Sequence, residues 1–260
     1  MTGRRTSTSR RWRPRCSGSS EPGRPYTPDL VADLPVVLSD GLDETLALAL
    51  DVEGKIPRAI EALGPVADRD VLLLDAVDGI RARQLRELGA RVALAKSGSD
   101  GFGVPDASAD VVVSYWTSFR GAAPEELAET RRVLRPGGRL LVVHDYGRDD
   151  VSHLHGERPE YGAWSRPSGP FLSDGFKVRV VHCFWTFPSA DECAAFLAAA
   201  FDGAGEKVAA GLKRPRLSYN LAIYHRTFGE AATSRADASA NEASAAEATA
   251  EVSAAPGATE

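Results

Sequence analysis

From Val71 to Val92 the chain reads VLLLDAVDGIRARQLRELGARV, and from Asp110 to Val143 it reads DVVVSYWTSFRGAAPEELAETRRVLRPGGRLLVV. Val71 to Leu74 is an unbroken apolar run, the pattern of a central strand covered on both faces. A helix is predicted from about Gly79, with Ala82, Leu85 and Leu88 on one side and Gly89 as its left-handed stop. Arg91 to Ala95 then reads as a second strand and Asp110 to Ser114 as another buried one. The next helix opens at Pro124 with Glu125 and Glu126 in its first turn and ends on Arg131, Arg132 and Arg135. That charge order suits the helix dipole. Pro136-Gly137-Gly138 is read as a turn into a further buried strand, Arg139 to His144. Strand, helix, strand, then strand, helix, strand is half of a doubly wound α/β domain.

Upstream, Ile56, Ile60 and Leu63 recur at i, i+4, i+7 and predict a helix over 55–63, ended by Gly64-Pro65. Downstream the character changes. Phe176 to Phe187 is long, β-branched and aromatic, and Ser189 to Glu192 forms a capping box opening a helix through Phe196, Leu197 and Phe201. Tyr219 to His225 alternates as a last strand. The fold expected is α/β, a doubly wound, mostly parallel, Rossmann-like sheet with an antiparallel C-terminal edge.

With 260 residues, 43% of them apolar, the chain can bury one substantial core. No apolar run approaches the ~20 residues needed to span a bilayer, so a membrane role is not expected and a cytoplasmic one is. Cys16, Cys183 and Cys193 are an odd count without metal-ligand spacing and read as free thiols. The net charge of −5 conceals opposite ends. Seven arginines crowd residues 1–25, and six acids against Arg235 mark residues 230–260. Both ends are rich in small and polar residues and cannot offset their own ordering entropy. The expected organisation is a disordered basic arm (1–25), one α/β domain (26–229) and a disordered acidic, Ala-rich tail (230–260). The arm lacks the amphipathic register of a transit peptide and reads as a solvated tail rather than a nucleic-acid contact.

LRPGGRLLVV at Leu134 to Val143, preceded by PDASADVVVS at Pro105 to Ser114, gives the chain a likeness. It resembles class I S-adenosylmethionine-dependent methyltransferases of the small-molecule type often called type 11, over about residues 50 to 228. That family carries D-x-G-x-G-x-G after its first strand. Counted back from Gly89-Ala90-Arg91-Val92, Leu73 stands at the acid, Asp75 and Val77 at the first two glycines, and Gly79 at the third. Only Gly79 matches. The acid that would accept the ribose hydroxyls is replaced by Lys96, which can only donate. Between Ala95 and Asp110 lie Lys96 to Ala109, where the family places a helix, a strand and a connection. A parallel crossover alone takes about a dozen residues, so the usual third strand is expected to be missing, leaving the second strand at the edge.

In an open α/β sheet the ligand crevice lies beyond the carboxyl ends of the strands, where strand order reverses. This nominates Asp75, Asp78, Gly79, Ser114 and Trp116 for the cofactor, with Tyr115 beside them. Asp75 or Asp78 would face the cofactor's ammonium and Trp116 its purine or sulfonium. His144, Asp145 and Tyr146 are the catalytic candidates, a histidine oriented by the adjacent carboxylate to take a proton from an acceptor. The competing reading has Asp145 capping the segment around Arg148 to Val151. His153 and His155 form an H-x-H pair but lack a third ligand, so they read as a solvated loop, and no metal is expected. Tyr161, Trp164 and Phe171 read as a lid or a subunit contact.

The resemblance implies a divergent methyltransferase using S-adenosylmethionine on a small-molecule substrate. The degraded motifs suit a second reading, a non-catalytic binding or scaffolding module on the same fold. A nucleotide such as NADP, with Lys96 on its phosphate, lacks the G-x-G-x-x-G that it would need.

Overall fold

The computed structural model describes residues 34–38, 41–156, 158 and 160–229. The expectations for the basic arm, the acidic tail and both outer domain limits fall wholly or partly outside these residues.

Two helices, α1 (Leu42–Ala49) and α2 (Lys55–Leu63), precede β1 (Asp70–Leu74), α3 (Ile80–Glu87), β2 (Arg91–Ala95) and β3 (Ala109–Tyr115). Then come α4 (Pro124–Val133), β4 (Leu134–Asp145), α5 (Asp150–His155), β5 (Lys177–Thr186), α6 (Ala190–Gly211) and β6 (Arg216–Thr227). The sheet order is β2-β1-β3-β4-β6-β5. The first four strands run parallel, and β6 and β5 close the sheet antiparallel. This is the doubly wound α/β arrangement with an antiparallel C-terminal edge that the apolar runs predict.

Side chains alternate across the strands and divide the interior into two cores. Leu73, Val113 and Leu141 lie in register and face a layer built from α1, α2, α3 and α6. Leu72, Val112 and Leu140 face α4 and the chain around Phe171 and Phe176. Since α3 and α4 cover opposite faces, strand order reverses between β1 and β3. The ligand crevice of such a sheet belongs at that point.

The link between β2 and β3 contains no strand, and β2 is an outer edge, as the short spacing from Lys96 to Ala109 requires. Two expectations are corrected. Pro136-Gly137-Gly138 is a bulge within β4 rather than a turn ahead of it: Leu134 pairs with Ala109 and Arg139 with Val111. Gly137 has φ +79, and a Cβ on Gly138 would lie 2.8 Å from the Arg135 carbonyl oxygen, so glycine is needed to carry the chain through. The last helix also continues beyond Phe201 to Gly211, but breaks at Phe201–Asp202, where Asp202 adopts φ 46, ψ −138.

Candidate functional site

The tips of β1 and β3 carry unusual backbone. Asp75 (φ 52), Trp116 (φ 53) and Phe119 (φ 57) are non-glycine residues in the left-handed region. Such residues cost on the order of 1–3 kcal/mol each, and they persist only where surrounding contacts over-determine them. Here those contacts are visible. The Asp75 amide donates to Ala95 O at 2.8 Å, and its carboxylate accepts from the Ser97 amide (2.8 Å), the Ser97 hydroxyl and the Ser118 hydroxyl. One side chain thus ties together the ends of β1 and β2 and the loop after β3. The Trp116 amide donates to Val143 O at 2.9 Å, and its indole N–H donates to the Tyr219 hydroxyl at 3.0 Å. The Phe119 amide donates to Glu126 Oε1 at 3.0 Å. Burial and the nearby Asp75 charge hold the Glu126 carboxyl above its ordinary range.

Over these tips lies an open groove of about 850 Å³, lined by Asp75, Ser97, Ser118, Phe119, Arg120 and Glu126 among others. Beneath Trp116 the space is filled. Arg81, in the first turn of α3, is fully buried, with its guanidinium 5.7 Å from the Trp116 ring centre and 5.9 Å from that of Tyr115. Its Nη1 donates to Gln84 Oε1 at 2.9 Å, while Nε and Nη2 have no hydrogen-bond partner among the described residues. Two aromatic faces offer a cation on the order of 0.5–2 kcal/mol. Removing an ion from water costs several kcal/mol. The rings therefore do not balance the burial.

The predicted cofactor residues separate. Asp75, Trp116 and Gly79 converge on the β1/β3 tips, Gly79 as the residue preceding α3. Asp78 points outward and is paired with Arg86. Ser114 is buried, with its hydroxyl on Ser118 O at 3.4 Å. Lys96 is exposed.

His144 and Asp145 do not face one another, which corrects the expected His–carboxylate pair. As consecutive strand residues they project to opposite faces. His144 Nε2 lies 2.9 Å from the Phe119 carbonyl, which can only accept, so this nitrogen carries the proton. Trp164 stands edge-on to its ring at 5.0 Å, and burial lowers its pKa to about 4. Asp145, on the other face, accepts from the Tyr219 hydroxyl and lies 3.7 Å from His155 Nδ1 and 3.6 Å from Arg158 Nη1. Burial, with Asp145 alongside, pushes the Tyr219 hydroxyl well above its ordinary range. Tyr146 is half-buried under the Arg148 side chain.

Asp145 is also not the cap of the segment that follows. Asp149 is, accepting from the Ser152 amide at 2.7 Å to open α5. The H-x-H pair lies on that helix, not in a loop. His153 is exposed, and the His155 side chain is buried with Nε2 unpartnered among the described residues. Residues two apart on a helix do not share a face. Of the aromatic trio, Phe171 is wholly buried and stacked 4.2 Å from Tyr224, a core residue, and Trp164 covers His144.

Arg81, Ser97, Ser118, Glu126 and Tyr219 escaped the sequence reading. For Arg81 a signal existed, since residues 81, 85 and 88 share one helical stripe at i, i+4, i+7. The hydroxyls carried none, because their partner, Asp75, lies 22 and 43 residues away.

No protein-family model and no curated protein matches the chain. Solved structures similar to it include a protein proposed to be a type II methyltransferase from Anaeromyxobacter dehalogenans, at 18% identity over 68% of this chain and 97% of that one, TM-score 0.44. Others are a SAM-dependent methyltransferase from Aquifex aeolicus, at 16% identity, 73% and 100% coverage and TM-score 0.37, and one from Mesorhizobium loti, at 14%, 65% and 97%, TM-score 0.34. Among the described residues no helix is long and apolar enough to cross a membrane.

Proposed function

We propose that this protein is a divergent small-molecule methyltransferase that uses S-adenosylmethionine at the β1/β3 tips. The observation that carries the reading is the clustering of three strained, non-glycine residues, Asp75, Trp116 and Phe119, where strand order reverses beneath an open groove. The room for a cofactor is the open groove lined by Asp75, Ser97 and Ser118, whereas the faces of Tyr115 and Trp116 are taken by the Arg81 guanidinium. When bound, the cofactor supplies an electrophilic methyl group on a sulfonium. The chain's own part is positioning. Asp75 ties the ends of β1 and β2 to the loop after β3, and Gly79 leads into α3 beside it. His144, neutral at physiological pH, anchors the Phe119 loop through its Nε2–H. Asp145 ends β4, with Tyr146 just beyond it, and Asp145 orients Tyr219 beneath Trp116. The two buried thiols, Cys183 and Cys193, suit a reducing compartment such as the cytoplasm.

A second reading, a non-catalytic module on the same fold, is favoured by the three protein donors already on the Asp75 carboxylate and by the exposed Lys96. Titration calorimetry with S-adenosylmethionine and S-adenosylhomocysteine separates the two. Affinity tighter than roughly 100 μM, about −5.5 kcal/mol, supports the methyltransferase. No heat at millimolar ligand supports the module.

A further inference from the structure

We infer that residues 247–253 of this chain add as an extended segment to the free edge of β5, their acids seated in a basic groove between that strand and α2. β5 is the last strand of the sheet, with β6 on one side only. The Phe184 carbonyl accepts from the Asp51 amide and the His182 carbonyl from Lys55 Nζ, so the even-numbered residues turn their backbone groups away from β6. Val178 and Val180 share that parity in an unbroken register. Among the described residues no hydrogen bond reaches their outward N–H and C=O groups. The covered half of the edge ends at His182, and the open half is a template for another strand.

The charge beside that open half selects the kind of strand. A groove of about 350 Å³ is lined by Lys55, Arg58, Arg179, Val180 and His182 among others, with no acidic residue on it. Arg58 and Arg179 are exposed and, among the described residues, in no ion pair or hydrogen bond, whereas Glu53 pairs with Lys55 and Arg216. A second copy of β5 would set Lys177 and Arg179 against their own kind, which destabilises. A nucleic acid could use the cations but not the open N–H and C=O groups of Val178 and Val180, which a peptide backbone matches. An acidic extended segment uses both.

The chain itself supplies one. β6 ends at Thr227 and its His225 pairs with Lys177, so the chain leaves the sheet beside the open half of the β5 edge. Six acids against Arg235 follow over residues 230–260. Within them Glu247, Thr249 and Glu251 alternate with Ala248, Ala250 and Val252, a period of two that puts both carboxylates on one side of a strand. Residues 230–246 can span up to about 55 Å and neighbouring strands lie about 5 Å apart, so reach is ample. Ala and Glu are weak strand formers, so the attachment leans on charge and is sensitive to salt. It covers an edge that would otherwise be open to other chains.

The experiment follows hydrogen exchange of the Val178 and Val180 amides in the full chain. Wild type is compared with Glu247→Lys/Glu251→Lys, with Arg58→Glu/Arg179→Glu, and with all four changes combined. At low ionic strength both amides are expected to exchange about tenfold more slowly in wild type than in either reversed pair. Combining the reversals should restore protection, and roughly 0.5 M sodium chloride should remove it from wild type. The β1 amides, remote from this edge, report whether each variant is folded. Arg58 and Arg179 are exposed, so their reversal is expected to be tolerated, and Arg58→Glu alone gives the same readout should the pair not fold. Equal exchange in all four proteins would overturn the assignment. Protection that survives the Glu247 and Glu251 reversals and grows with protein concentration would overturn it in favour of a second copy. Protection that appears only on adding an oligothymidylate would overturn it in favour of a nucleic acid.

Discussion

Asp75, at the end of β1, and Ser118, beyond β3, are joined side chain to side chain, with Ser97 from the end of β2 on the same carboxylate. This places the tie across the carboxyl ends of β1 and β2 and the loop after β3 on a single group. It also explains how a residue standing where the resembled family has glycine can be tolerated, since contacts that glycine lacks offset its positive φ.

Replacing Asp75 by Ala removes the acceptor for three donors and leaves a β-carbon at a left-handed position. Leaving donors unsatisfied costs about 1–3 kcal/mol, so urea unfolding of Asp75→Ala should show a loss in that range with an unchanged denaturant slope. Asp75→Gly, which relieves the backbone, should recover part of it. A loss below about 0.5 kcal/mol for Asp75→Ala would show that the tie is not stabilising.

Tyr219 links Trp116 to Asp145 across the buried side of the site. Tyr219→Phe keeps the ring but strips the indole N–H of its acceptor and Asp145 of its donor, a change worth about 1–3 kcal/mol. The check is chemical denaturation together with tryptophan emission, which should shift as the Trp116 environment changes. Wild-type stability and spectrum would show that water replaces the hydroxyl.

His144 predicts a pH dependence. Its folded-state pKa is lowered from 6.5 to about 4 by burial, so between those values the unfolded chain binds a proton that the folded chain does not. Its stabilising effect is fully present above pH 6.5 and declines as pH falls towards 4. At 1.36 kcal/mol per pKa unit this amounts to on the order of 3 kcal/mol. The melting temperature of wild type should fall more steeply over this window than that of His144→Gln. Parallel curves would mean that His144 titrates normally.

The break in α6 brings its two halves together at one glycine. A Cβ on Gly205 would lie 1.9 Å from Leu197 O, whereas one on Gly203 meets nothing within 4 Å. Gly205→Ala should cost about 1–3 kcal/mol or more through overpacking, and Gly203→Ala should lie within about ±0.5 kcal/mol of wild type. Thermal unfolding of the pair tests the kink, and equal behaviour would dispose of it.

Much of this architecture is legible along the chain because it rests on local periodicity. Val71–Leu74, Val111–Val113 and Leu140–Val143 are apolar on both faces, and only a central parallel strand buries both. The count from Lys96 to Ala109 leaves no room for another crossover. Those signals need no knowledge of distant contacts. The site is different. Asp75 and Asp78 look alike on paper, but one meets Ser97 and Ser118 while the other turns to Arg86 in solvent. His144 and Asp145 are neighbours in the chain yet open onto separate cores, because a strand sends successive side chains to opposite faces. Arg81 reads as one more arginine on a charged helix until β3 is laid across it. Strand and helix follow from neighbours a few residues away, whereas the fate of a polar group depends on which remote partner reaches it, and only the folded chain decides that.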